Sequence, residues 1–401
     1  MDEQRIEAYF NVIRSLLNCP SGEESQILQA NSELVDAGLV KVMLEEANNL
    51  RIDNNLDDAN SLMTLAGHLM GIYGNTMPDK SSPSTYLEFL REVLQVTADS
   101  KGDRNVIYPL LRDNLHLVND NFAVVLRNWA RETLPNLDSQ ERRIYIIESI
   151  CAFSNAIQEF PLDSKSKASN LEIAIAGYEV ALTVFTRQKY AEHWAKIKNN
   201  LGTAYRNRIR GEKADNLEMA IAAYREALKV HTREAFPKDW AGTQNNLGIA
   251  YSNRIRGKKR DNLERAIAAY RKALKVHTRE KFPFEWAKIQ NNLANAYINR
   301  IRGEKADNLE MAISACQAAL AVYTHEVFPF EWAEAQNNLG AVYTKRIRGE
   351  KADNLEMAIS ACQAALSVRT REKFPIITPK PYIILDLPIG IISNSQKLTI
   401  V

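Results

Sequence analysis

The sequence predicts an all-α protein: a right-handed α-solenoid of antiparallel helix hairpins, preceded by a further helical region. Three observations predict it. The dipeptide Asn-Leu opens at Asn170, Asn216, Asn262, Asn308 and Asn354, each 46 residues after the last. Tryptophans keep the same interval at Trp194, Trp240, Trp286 and Trp332. Within one unit Leu263, Ala266, Ile267, Tyr270 and Leu274 fall at the i, i+3, i+4, i+7 and i+11 spacing of a single helical stripe. A fixed period of a few tens of residues marks units that stack because none can bury its apolar face alone.

Taken in order, residues 1–138 are helical in pattern but lack the 46-residue period. A faint duplication relates the segments starting at Tyr9 and Tyr86, which fits either a compact helical module or a pair of degenerate hairpins. The Pro- and Ser-rich stretch from Gly74 to Thr85 reads as the linker between them. Residues 139–374 hold five hairpins, the opening helix at about 139–160 lacking the tryptophan and the asparagine pair. The first helix of a unit starts after Phe-Pro, with Pro237, Pro283 or Pro329 in a turn that needs no amide donor. Its expected end is Arg-Ile-Arg-Gly, where Gly211, Gly257, Gly303 and Gly349 can adopt the left-handed conformation and the arginines suit the negative end of the helix dipole. Trp240, Leu247, Gly248 and Tyr251 cluster on one side of this helix. Trp240 and Trp286 are therefore expected to be largely buried between hairpins, and Gly248 (Ala294 in the next copy) to admit a close neighbour. The start of the second helix reads as a capping box, Asp215/Glu218, Asp261/Glu264, Asp307/Glu310 and Asp353/Glu356, with Ser169/Glu172 in the first copy. In residues 375–401 the pattern stops: Thr378 stands where a tryptophan is due, and Ile383 and Ile384 where the asparagines are due. This irregular or disordered tail reads either as a cap on the last helix or as the remnant of a truncated reading frame.

The segments NNLGIAY and AIAAYRKAL carry a family resemblance. Leu247, Gly248 and Tyr251 in one helix, and Ala266, Tyr270 and Ala273 in the other, resemble the two signatures of the tetratricopeptide repeat. The resemblance covers roughly residues 139–374 and departs in two ways: the unit has 46 residues instead of 34, and the tryptophan lies about one helical turn upstream. A HEAT-type array shares the longer period but lacks the Leu-Gly-x-x-Tyr signature. Units of this length and wording are similar to bacterial arrays that precede a caspase-like CHAT protease domain, and no such domain is present in this sequence. The resemblance implies a scaffold that takes a partner protein or peptide in a groove lined by the first helices. The alternative it leaves is the regulatory part of a protease system whose catalytic domain is on another chain or missing.

Composition narrows the function classes. With 51 basic and 49 acidic side chains the net charge is +2, so no global field calls for nucleic acid or an anionic membrane. No signal peptide and no long apolar run is seen, and a cytoplasmic protein is the expectation. Cys19, Cys151, Cys316 and Cys362 lie too far apart for a metal knuckle or redox pair; the last two occupy a position that is Tyr178, Tyr224 and Tyr270 in other copies, which makes them packing residues. No nucleophile set, acid/base pair, metal cluster or phosphate loop has both spacing and context, so neither an enzyme nor a cofactor is expected. His231 and His277 read as dipole-favoured cations near the end of the second helix. The basic turn from Asn253 to Arg260 reads as a solvated turn, because its equivalents carry acids.

The asparagine pairs 199/200, 245/246, 291/292 and 337/338 need a reason, since asparagine is a mediocre helix former. On the helical wheel Asn245, Ile249, Ser252 and Asn253 turn away from Trp240, Leu247 and Tyr251. An amide offers the donor and acceptor that an extended peptide backbone presents in return. Asn199, Asn245, Asn291 and Asn337, with Asn253 and Asn299, are therefore the candidate peptide-gripping row. The competing reading has the pair bonded to the adjacent hairpin. Self-association is compatible with either.

Overall fold

The structure, a computed structural model, describes residues 3–20, 23–52, 82–161 and 164–368, with residues 58, 61, 62, 65, 66 and 69 between them. The tail, and the linker up to residue 81, lie outside the described residues. The chain divides into two compact units, Met1–Tyr86 and Leu87–Val401. Helices account for all the regular structure among the described residues.

In the first unit, α1 (Glu3–Asn18) and α3 (Ala37–Ile52) bury Tyr9, Ile13 and Leu16 with Leu39, Met43 and Ala47, beside the short α2 (Glu24–Ala30). Asp36 ties the corner. It accepts from the Tyr9 hydroxyl (2.8 Å), from Arg5 Nη2 (2.8 Å) and from the Leu39 amide (3.0 Å), so one carboxylate fixes both the helix start and the crossing of α1. Pro83, Ser84 and Thr85, assigned to the linker by composition, are instead the first turn of α4 (Pro83–Asp99), where proline costs no hydrogen bond.

In the second unit α4 is followed by α5 (Arg104–Asp113) and α6 (Asp120–Thr133), capped by Asp103 and Asn119 through bonds of 2.9 Å to the amides of Asn105 and Asn121. Five hairpins follow: α7 (Gln140–Glu159) with α8 (Ser164–Val184), α9 (Ala191–Asn207) with α10 (Lys213–Ala227), α11 (Pro237–Ser252) with α12 (Lys259–Ala273), α13 (Pro283–Ile298) with α14 (Lys305–Leu320), and α15 (Pro329–Tyr343) with α16 (Lys351–Val368). Each second helix packs on its own first helix and on the first helix of the next hairpin, which is the arrangement of an α-solenoid. The first helix of the array, α7, lacks the tryptophan and asparagine pair, as expected. Helix α6 lies against α8 and closes the N-terminal end of the stack, with Phe122 between Phe89 and Phe153.

Within a hairpin, the aromatic of the second helix sits on the small residue of the first. A methyl group added at Gly248 would stand 2.5 Å from the Tyr270 ring, and one at Gly202 2.8 Å from Tyr224. In the fourth hairpin the corresponding positions hold Ala294 and Cys316, so a larger residue on one helix accompanies a smaller one on the other. Cys316 is fully buried and burial pushes its thiol up to about 12, in keeping with a packing role.

Four local expectations need correction. The first helices end at Asn207, Ser252, Ile298 and Tyr343, short of the glycines. Those glycines do take positive φ, from 73° to 83°, but they set up the entry to the second helix. The second helices begin at Lys213, Lys259, Lys305 and Lys351, before the acidic residues, and the flanking Glu212, Lys258 and Glu304 make no side-chain cap. Trp194, Trp240, Trp286 and Trp332 are half-buried, because each lies along the edge of its hairpin; Arg187 stands 5.8 Å from the Trp194 ring and Arg279 the same distance from Trp286. His231 and His277 are not exposed cations but buried rings against Phe236 and Phe282, and burial lowers the pKa of both. Phe185 and Tyr323 fill the same place in neighbouring copies and are equally buried, so the position is one of packing.

Candidate interaction face

The four hairpin-to-hairpin junctions are built from recurring polar side chains. The acids of the apparent capping boxes reach forward to the next hairpin. Glu172, Glu218, Glu264 and Glu310 each receive both Nε and Nη2 of an arginine 36 residues later, namely Arg208, Arg254, Arg300 and Arg346, at 2.7–3.0 Å. Planar, bidentate pairing of this kind is the strong form of the ion pair. The arginine holds Glu218, Glu264 and Glu310 below the usual carboxylate range. The second arginine of Arg-Ile-Arg pairs with the aspartate of the same box, Arg256 with Asp215 and Arg348 with Asp307. In the first copy Arg210 Nη2 donates to Ser169 Oγ at 3.4 Å. Asn216, Asn262, Asn308 and Asn354 complete the turn by donating to the carbonyls of Arg210, Arg256, Arg302 and Arg348 at 2.8–3.0 Å.

A second recurring bond lies along the first helices, which pack on one another, α9 on α11, α11 on α13 and α13 on α15. Asn246 Nδ2 donates to Asn199 Oδ1 (3.2 Å), Asn292 to Asn245 (3.0 Å) and Asn338 to Asn291 (2.8 Å). Asn200 extends the series to Asn155 of α7 (2.9 Å), which also accepts from the Tyr178 hydroxyl (2.7 Å). Each amide of one hairpin thus meets the carbonyl of the hairpin before it. Asn245 and Asn291 are buried, at 7% and 5% exposure, so these two are not the free groups that a peptide-gripping row requires; the next hairpin takes their oxygens. Asn199 and Asn337 are half-buried, and Asn253 and Asn299 are exposed at the ends of α11 and α13.

In α11 and α13 the outward side keeps the expected Ile249 and Asn253 positions but takes the second asparagine of the pair in place of the first, whereas in α15 the second one, Asn338, is buried. In α11 it is Gly242, Asn246 and Ile249, ending at Asn253; in α13 it is Lys288, Asn292, Asn295 and Asn299. The spacing of four, three and four residues is one helical stripe. In α9 the stripe is Lys196, Asn200, Thr203 and Asn207. The asparagine recurs while its neighbours change from lysine to glycine and from threonine to isoleucine. The signal that could have found this phase is Leu247 and Tyr251: once they face inward, Asn246 must lie closer to the rim than Asn245.

Among the described residues no group of three His, Cys, Asp or Glu side chains is placed to hold a metal ion, and no helix is long and apolar enough to cross a membrane.

Residues 194–234, the second hairpin from its tryptophan onward, match the family model of the tetratricopeptide repeat. No curated protein sequence matches the chain. Among solved structures it is similar to BtubC (BKLC) from P. vanneervenii, at 20% identity over 70% of this chain and 96% of that one, with a TM-score of 0.45. At that level the likeness adds nothing to what the helices themselves show. With one hairpin matched directly and three more repeating its positions at the 46-residue interval, the array is a tetratricopeptide-like helical repeat.

Proposed function

We propose that the chain is a protein-interaction scaffold and that it binds an extended partner segment along the stripe of half-buried and exposed residues on the outer side of α9, α11 and α13. The observation that supports this is the stripe itself: amides at a fixed position in successive helices, flanked by positions whose side chains differ from copy to copy. Fixed amides suit a peptide backbone, and variable neighbours suit its side chains. Asn253 and Asn299, exposed at the ends of their helices, are the positions most free to contact a partner; Asn199, Asn245 and Asn291 act beneath them by holding Asn246, Asn292 and Asn338 in place, and half-buried Asn337 is the fourth member of that row. A displayed peptide library selected on the wild-type chain tests the reading. Selected peptides should lose at least about tenfold in affinity for Asn253→Ala/Asn299→Ala, equivalent to about 1.4 kcal/mol, while the melting curve stays put. Peptides that bind wild type and variant alike would reject it.

A further inference from the structure

Each internal hairpin is covered on its C-terminal side by the next. Among the described residues, the last is not. Leu217, Leu263 and Leu309 are at most 3% exposed, whereas their counterpart Leu355 is half-buried. Ile221, Ile267 and Ile313 are at most 6% exposed, and Ile359 is 40% exposed. Cys316 is fully buried and Cys362 half-buried. The outward-facing methionines barely change, 41% at Met311 and 50% at Met357, so the opening is confined to one side of α16. The carboxylates repeat the pattern: Glu356 and Asp353 are exposed, and no arginine among the described residues reaches them as Arg346 reaches Glu310. The opposite end of the stack has its cover in α6, joined to α8 by Arg127 and Glu179 at 3.0 Å.

We propose that the chain's own segment 369–401 covers this C-terminal face, in the place that the next hairpin takes at every internal junction. Three features of the sequence fit that occupant. The segment starts at the end of α16, so it is present at the high effective concentration of a tethered group, which a second molecule lacks. Its stretch from Tyr382 to Ile392 is apolar apart from Asp386 and Gly390, and needs cover as the face does. Reach is sufficient. Thirteen residues lie between Val368 and Tyr382, a span of about 45 Å when extended, whereas the 18-residue α16 is about 27 Å long. The segment can therefore run back along the helix, with Lys380 able to approach Glu356.

Thiol labelling tests the proposal, with the modified sites read by peptide mass spectrometry. In the full chain Cys362 should react at least about tenfold more slowly than in a chain ending at Val368, a protection of about 1.4 kcal/mol, with Cys316 unreactive in both. Equal rates at Cys362 would overturn it. So would a protection in the full chain that fades on dilution, since that would assign the cover to a second copy. Should the shortened chain unfold, seen as labelling of Cys316, the comparison passes to the full chain carrying Ile383→Asp and Ile384→Asp. That variant must label faster at Cys362 while Cys316 stays protected, and an unchanged Cys362 rate in it overturns the proposal.

Discussion

Gly248 and Tyr270 show how closely single residues are matched. A methyl group 2.5 Å from the ring has nowhere to go without moving it, so Gly248→Ala should cost about 1–3 kcal/mol by overpacking. The fourth hairpin already shows the compensation. In a Tyr270→Cys background, which copies the Ala294 and Cys316 combination, the same glycine-to-alanine step should be close to neutral, and chemical denaturation of the four variants measures the coupling. His231 and His277 give a prediction of a different kind. Desolvation is the main cause of their lowered pKa and outweighs the opposing pull of Asp239 on His231 and of Glu285 on His277, so the folded chain binds fewer protons than the unfolded one below about pH 6.5. Their stabilising effect is complete above that pH and is lost as pH falls toward the folded value. The melting temperature should drop between pH 7.5 and 5, and His231→Phe/His277→Phe, which copies Phe185, should flatten the profile. The paired glutamates cannot mimic this, because their contribution is lost only below about pH 4.3.

At the scale of the element, the junction bonds can be ranked by experiment. Arg300→Gln removes two bonds to Glu264 at a partly buried junction and should cost about 1–2 kcal/mol. Arg260→Gln removes a 3.5 Å pair between side chains that are more than half exposed, and should leave thermal stability unchanged. Asn245→Ala/Asn291→Ala removes the acceptors of Asn292 and Asn338, for a loss of about 1 kcal/mol at each site; an unchanged or raised melting temperature would mean that these bonds contribute nothing. These elements also mark what was legible in the sequence. Helices, hairpins and the close approach at Gly248 follow from the 46-residue period and the apolar stripe, both local patterns. The acids were misread because Asp-x-x-Glu before an apolar run looks the same whether it caps its own helix or holds the next hairpin. The constant interval of 36 residues between each glutamate and the first arginine of Arg-Ile-Arg carries the second meaning. Asn245 was expected in the place that Asn246 takes because neighbours on a helix differ by only about 100°.

Across the whole array, cohesion passes from neighbour to neighbour. Trp286, half-buried beside Ala287, Tyr323 and Trp332, should cost about 2 kcal/mol when replaced by alanine, less than a fully buried ring. In a quasi-linear stack that loss should appear first in α13 to α16, whose hydrogen exchange should speed up while α4 to α8 keep their protection. Uniform loss across the second unit would show that it opens as one cooperative body.

The direction of the junctions has a consequence for how the chain comes into being. At every junction the carboxylate belongs to the earlier hairpin and the arginine to the later one; the asparagine bonds run the same way, carbonyl first and amide second. Translation therefore delivers the receiving half of each junction before the half that docks into it. A hairpin leaving the ribosome meets a surface already in place, and the nascent array can grow one layer at a time without waiting for its far end.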